Sequence, residues 1–221
     1  MAIIYNLVTG AIKGILGILC RIDAQEMEKI PSKGPFILAV NHVNFLDAPV
    51  VFTQGLPRPI TALVKIETWD SPILGPLFTL WGAIPIRRGE ADLAAFQAAK
   101  DALRSEKILA ISPEGTRSGN GVLQKGLPGI VLIAARTDAP IIPLVVYGHE
   151  SFWDNIKHFR RTDFHIRVGD PFRLNTEGVA LDKENRQRLA DEIMHHLVEL
   201  LPEKYHGAYA GLNKKAEPTA A

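Results

Sequence analysis

An α/β single domain, with a mostly parallel or mixed sheet flanked by helices, is the fold class this sequence predicts, and three observations carry it. Apolar runs at residues 36–40, 60–64, 108–111 and 141–146 have the length of buried strands. Helical patterns fall between them at residues 91–103 and 129–135, and such alternation is the mark of an α/β sheet. The 221 residues, 47% of them hydrophobic, suit one core with decorations better than two domains.

Residues 1–22 read as an amphipathic helix. Ile3, Ile4, Leu7, Val8, Ala11, Ile12, Ile15, Leu16 and Leu19 keep a three-then-four spacing, while Asn6, Thr9, Gly10, Lys13, Gly14 and Gly17 fall on the other side. Lys13 and the missing basic start and cleavage site argue against a signal peptide. One apolar face suits lying at a bilayer surface or covering the domain's own core, whereas a spanning helix needs about 20 apolar residues all round.

Further along, Trp69, Ile73, Leu74, Leu77, Phe78, Leu80 and Trp81 crowd around Pro72 and Pro76, either as a corner of the core or as an interfacial segment. Residues 164–168 add a late strand. Residues 182–201 form a longer helix with Leu189, Ile193, Leu197 and Leu200 along one face. The expected division is therefore a membrane-associating helix at 1–22, a globular domain at 23–206 and a disordered, Ala-rich tail at 207–221.

Charge and cysteine content narrow the function. Lys plus Arg number 25 and Asp plus Glu 24, so there is no global field to gather nucleic acid, and anion recognition must be local. Cys20 is the single cysteine, which excludes an intrachain disulfide and a CxxC site and makes a reducing cytoplasm the simplest compartment.

A histidine followed five positions later by aspartate can hold an imidazole in the tautomer a general base needs. The spacing occurs four times, as His42 with Asp47, His149 with Asp154, His158 with Asp163 and His165 with Asp170, so context must choose. His42 follows the run 36–40 and precedes a helical pattern, which is a strand-to-helix turn of the kind where α/β proteins keep their sites. His165 and Asp170 flank an extended segment that would part them by roughly 16 Å. His149 and His158 lie in an irregular charged stretch, where surface positions are expected.

The stretch Asn41-His42-Val43-Asn44-Phe45-Leu46-Asp47 resembles the first signature of the lysophosphatidic acid acyltransferases. Three more blocks follow in order. Gly82-Ala83-Ile84-Pro85-Ile86-Arg87-Arg88 is similar to the second, Pro113-Glu114-Gly115-Thr116-Arg117-Ser118 to the third, and Ala139-Pro140-Ile141-Ile142-Pro143-Leu144 to the fourth. The third is the most specific. Asn44 stands where many members carry serine, a departure expected to touch helix capping or subfamily rather than proton transfer.

The resemblance implies that His42 is the base and Asp47 its support, and that the reaction moves a fatty acyl group from a thioester, acyl-CoA or acyl carrier protein, to a lysophosphatidic-acid-like acceptor. Another lysophospholipid and glycerol 3-phosphate are alternative acceptors, and a noncatalytic lipid-binding protein or a thioesterase are alternative functions. Arg87, Arg88, Arg117 and Lys125 are the cations available for a phosphate, with Arg88 and Arg117 at the family's acceptor-binding positions. Glu114 would bind the acceptor's glycerol, or pair with an arginine and shape its loop, Gly115 and Thr116 complete that loop, and Lys125 precedes a helix whose first amides could add to the anion site. Lys65 and Glu67 match a Lys-x-Glu that many members carry. No cofactor, metal or nucleic-acid partner is expected, and the expected location is the cytoplasmic face of a membrane, peripheral or monotopic.

Overall fold

A strand with apolar side chains on both faces needs cover on both, and residues 36–40 show how that cover is arranged. The protein, described here from a computed structural model over residues 2–54, 60–90 and 92–211, places this strand in the middle of one sheet. Among the described residues the strands are β1 (Cys20–Asp23), β2 (Phe36–Val40), β3 (Ile60–Lys65), β4 (Ile84–Ile86), β5 (Ile108–Ile111), β6 (Ile141–Tyr147) and β7 (Thr162–Val168). Their order across the sheet is β1-β7-β6-β2-β5-β3-β4. All neighbours are parallel except β6 and β7, so the mixed, mostly parallel sheet read from the sequence is borne out.

The helices are α1 (Ala2–Leu19), α2 (Asp47–Thr53), α3 (Leu74–Leu80), α4 (Leu93–Arg104), α5 (Gly129–Thr137), α6 (Phe152–Lys157) and α7 (Lys183–Val198). Side chains alternate along β2: Leu38 and Val40 join a core with α1, α2, α3 and α6, whereas Ile37 and Ala39 join a second core with α4, α5 and α7. The result is a helix–sheet–helix sandwich. Every strand residue of β2 is buried, which explains a continuous apolar run where a half-exposed strand would alternate.

Two strands escaped the sequence reading, and both are short edges. β1 has the alternating residues Cys20-Arg21-Ile22-Asp23 and was expected as the end of the amino-terminal helix; the helix instead stops at Leu19, where Arg161 donates to the carbonyls of Gly17 and Cys20. β4 spans three residues with Pro85 in the middle, a residue tolerated in a sheet only at an edge.

The tail is also corrected at its start. Residues 207–209 form a turn of 3₁₀ helix, and Tyr209 is buried, donating from its hydroxyl to Asp191 at 2.7 Å and accepting the Gly126 N–H at 3.0 Å. Residues 212–221 of the expected disordered tail lie outside the described residues.

The single apolar face of α1 is divided in two by the fold. Tyr5, Ile12, Leu16 and Leu19 pack onto the core, and α1 lies against α2. Ile3, Ile4, Leu7, Ile15 and Ile18 point outward, with Ile3 75% and Ile18 72% exposed. At 100° per residue the outward set occupies an arc of its own beside the packed one. No helix among the described residues is long and apolar enough to cross a membrane.

The tryptophan-proline segment is mainly a corner of the core. Trp81 is buried, stacks on Phe52 at 4.8 Å and donates from its indole to Thr9 of α1, while Trp69 donates to Thr79. Of its large apolar side chains, Ile73 and Leu74 stay outside.

Candidate active site

Parallel strands deliver their carboxyl ends to one edge of the sheet, and that edge is where an open α/β fold collects its site. His42 follows β2, Lys65 ends β3, Arg88 follows β4, Glu114 and Arg117 follow β5, and His149 follows β6. Five strands therefore supply chemistry to one place.

Asn41 sets the first residue in position. Its buried side chain donates to the carbonyl of Val146 and accepts the Val146 N–H, at 2.9 and 2.7 Å, extending the β2–β6 ladder by one side chain beyond the end of the strand. The chain then turns, and Asp47, the first residue of α2, reaches back toward the turn. One of its carboxylate oxygens accepts from Nδ1 of His42 at 2.5 Å and from the backbone N–H groups of Val43 and Asn44 at 2.7 and 3.0 Å. Burial would push the Asp47 carboxyl up, but the hydrogen bonds from His149 and His42 outweigh it and hold the group below the usual carboxylate range. With Nδ1 of His42 serving as a donor, Nε2 keeps its lone pair.

The other Asp47 oxygen carries a finding the sequence reading missed. His149 was expected at the surface; it is fully buried, and its Nε2 lies 2.5 Å from Asp47 Oδ1. Gly148, at φ +94°, makes the turn that carries it there, and a Cβ at that position would sit 3.1 Å from the Asp163 carbonyl oxygen and the His165 ring. The signal lay in strand position rather than in spacing. His149 stands two residues past the end of β6 just as His42 stands two past the end of β2, and the two strands pair. Asp154, its sequence partner, lies near His158 instead, with 3.7 Å between the groups. His165 meets Asp23 at 3.5 Å, away from Asp170 as its strand geometry requires.

Glu114 is buried beneath the site. Its two oxygens accept the backbone N–H groups of His42 at 2.7 Å and Gln124 at 2.9 Å, tying its loop to the turn that carries His42. Burial drives its pKa up to about 7 against these two hydrogen bonds. Gly115 takes φ +67° in the same turn, and the Ser118 N–H closes back on the His42 carbonyl at 2.8 Å.

A cavity of about 670 Å³ opens over His42, within the range of about 300–1,000 Å³ usual for ligand pockets. Val51, Phe52, Ala62, Leu77 and Phe78 form apolar wall, and His42, Lys65, Glu67, Arg88, Thr116 and Arg117 form its polar part. Lys65 and Glu67 pair at 3.3 Å. Arg117 Nε donates to Nε2 of His42 over a long 3.4 Å. The Arg88 guanidinium is held below its ordinary pKa by burial first and by the charge of Arg117 second, and both side chains line the cavity.

Not every predicted cation arrives. Arg87 is exposed and contributes its backbone N–H to Asp92, the cap of α4, and Lys125 lines a separate depression with Lys183 and Arg188. Neither lines the cavity over His42.

Residues 21–147 match the protein-family model described as Acyltransferase. The chain belongs to that acyltransferase family. Among its relatives is the 1-acyl-sn-glycerol-3-phosphate acyltransferase of Limnanthes alba, 32% identical over 80% of this chain and 62% of the relative's length. The enzyme of that name from Bacillus subtilis is 23% identical over 89% of this chain and 96% of its own. The solved structure of the 1-acyl-sn-glycerophosphate (LPA) acyltransferase PlsC from Thermotoga maritima shares the acyltransferase fold, with a TM-score of 0.66 and 19% identity, over 89% of this chain and 79% of that one.

Proposed function

We propose that this member of the acyltransferase family transfers a fatty acyl group from a thioester donor, acyl-CoA or acyl carrier protein, to the free hydroxyl of a lysophosphatidic-acid-like acceptor. The observation that carries the reading is the pairing of Nδ1 of His42 with Asp47, which leaves Nε2 facing a cavity that has two guanidinium groups and a long apolar wall. A phosphate monoester needs the cations, an acyl chain needs the wall, and a hydroxyl needs the base. The relatives named above carry the same activity in their names.

In this mechanism His42 Nε2 takes the proton of the acceptor hydroxyl as its oxygen attacks the thioester carbonyl. The tetrahedral intermediate collapses with loss of the thiolate, which takes the proton back from His42, giving an ester and a thiol. Asp47 stabilises the imidazolium between the two proton transfers, and base catalysis of this kind supplies about 10²- to 10⁴-fold. Arg117 leaves Nε2 of His42 to meet the acceptor phosphate with Arg88, which frees the base when substrate arrives.

The outward apolar arc of α1 supports placing the protein at a membrane surface, where both amphiphilic substrates reside. The test is to incubate purified protein with labelled acyl-CoA or acyl carrier protein and a panel of lysophosphatidic acid, other lysophospholipids and glycerol 3-phosphate, then identify the product. Phosphatidic acid from lysophosphatidic acid is expected. Release of free fatty acid with no ester product would replace the reading with hydrolysis.

A further inference from the structure

We propose that His149 is a positioning residue for the reaction, completing a His149–Asp47–His42 relay in which its ring N–H fixes and shares the charge of the carboxylate that supports the base. The inference rests on the acyl-transfer reading for its kinetic consequence but not for its geometry.

Everything around His149 holds the ring in one orientation. Its face stacks on Phe164 of β7 with ring centres 4.1 Å apart, its backbone carbonyl accepts from the side chain of Asn44 at 3.0 Å, and the Asn41 clamp, immediately after Val40, ties its strand to the His42 strand. Nε2 meets Asp47 Oδ1 at 2.5 Å, while Nδ1 is buried with no hydrogen-bond partner among the described residues. A carboxylate only accepts, so the proton of this contact sits on Nε2 and the ring acts there as the donor.

Asp47 then receives four donors, two on backbone and two on imidazoles, divided between its oxygens. Three of them crowd one oxygen. Among the described residues His149 is the sole partner of the other, so without it that oxygen is buried and unbonded, a costly state for an ionised group. The carboxylate must stay ionised to stabilise the His42 imidazolium. The other titratable groups near it are Glu114 and Arg117, both on the loop after β5; from β7 His165 turns instead to Tyr147 and Asp23. Glu114 accepts the N–H groups of His42 and Gln124, and Arg117 donates to His42 Nε2, so neither bonds Oδ1 in this structure.

The test uses His149→Gln, whose side-chain N–H₂ reaches about where Nε2 does, and His149→Phe, which keeps a ring against Phe164 but has no donor. Both are read against wild type and against His158→Ala, a surface control. In the acyl-transfer assay His149→Phe should lose about 10- to 100-fold in kcat with each KM within about twofold, and His149→Gln should regain most of it. The carboxyl carbon of Asp47, followed by ¹³C NMR in the full-length protein, should titrate at least about one pH unit higher in His149→Phe than in wild type, and near the wild-type position in His149→Gln. Equal kcat and an unmoved Asp47 titration in a folded His149→Phe protein would overturn the relay. A Gln variant that falls as far as Phe in both measurements would assign His149 to packing alone. If wild type transfers no acyl group to any acceptor, the functional reading fails, and the NMR titration still decides the relay. If His149→Phe does not fold, the Gln variant decides it, a lowered kcat with an upward-shifted Asp47 titration overturning the donor role.

Discussion

Glu114 holds His42 through the main chain: its carboxylate accepts the His42 N–H at 2.7 Å and, from the other oxygen, the Gln124 N–H at 2.9 Å. Two donors aimed at two oxygens favour the ionised form, but burial outweighs them and raises the group from 4.5 to about 7. The folded protein therefore binds more protons than the unfolded chain between pH 4.5 and 7, and stability falls as pH rises through that window and levels off above it. Urea midpoints measured from pH 4.5 to 8 should show this decline in wild type and not in Glu114→Gln, the two curves diverging by on the order of 3 kcal/mol. Parallel curves would mean that the carboxyl titrates like an exposed one.

The dyad makes an activity prediction with a built-in control. His42→Ala removes the base but leaves Asp47 bonded to His149, Val43 and Asn44, so the fold should survive while transfer drops by about 10²- to 10⁴-fold. His158→Ala, at an exposed ring beside Asp154 of α6, should change nothing. Asp47→Asn is harsher. An amide has one acceptor oxygen where four donors converge, so it should lower both turnover and the melting midpoint. A folded His42→Ala protein with near-normal turnover would end the base assignment.

Arg88 and Arg117 should separate the two substrates. Each charge-assisted bond to a phosphate is worth about 1.5–3 kcal/mol, so Arg88→Ala or Arg117→Ala should raise the acceptor KM by about 10- to 100-fold and leave the donor KM nearly unchanged. Arg87→Ala, whose side chain lies off the cavity, should leave both alone. Initial rates against each substrate in turn check this. Equal rises in donor and acceptor KM would move the pair from the phosphate to the thioester end.

What the sequence made legible follows from range of interaction. β2, β3, β5 and β6 are buried runs whose pattern is local, and His42 with Asp47 lies within one turn, so both were readable from adjacent residues. β1 and β4 were not, because an edge strand is made by a neighbour's hydrogen bonds rather than by its own composition. His149 is 102 residues from Asp47, and only the pairing of β2 with β6 brings them together. Its local sequence, with Glu150 and Asp154 nearby, spoke for the surface. Likewise the periodicity of α1 showed an apolar face but not that half would be covered, since coverage is decided by α2, which begins 28 residues after α1 ends. Lys125 and Arg87 show the converse error: charge near a motif does not fix direction, and both side chains leave the site.

That division of α1 gives the membrane hypothesis two separable halves. Leu7 and Ile15 belong to the outward arc, at 68% and 57% exposure, whereas Ile12 is packed against the core and Leu16 is 4% exposed. Burying each large outward side chain in the headgroup–acyl boundary is worth at most about 1.5–3 kcal/mol, and several such residues on one helix suffice to hold a protein at a surface. Leu7→Glu with Ile15→Glu should therefore abolish sedimentation with phosphatidylethanolamine–phosphatidylglycerol vesicles, leave the melting midpoint within a degree or two, and retain activity on detergent-dispersed substrate. Ile12→Glu with Leu16→Glu places two carboxylates against the α2 core and should instead lower the melting midpoint by roughly 5–10 °C, because a buried unpaired charge costs several kcal/mol. Vesicle binding that survives Leu7→Glu with Ile15→Glu would show that another surface holds the membrane, and the exposed tip at Ile73 and Leu74 is then the next place to substitute. Wild-type protein that never sediments with vesicles would remove the membrane surface from the proposal altogether and require its lipid acceptor to reach His42 from solution.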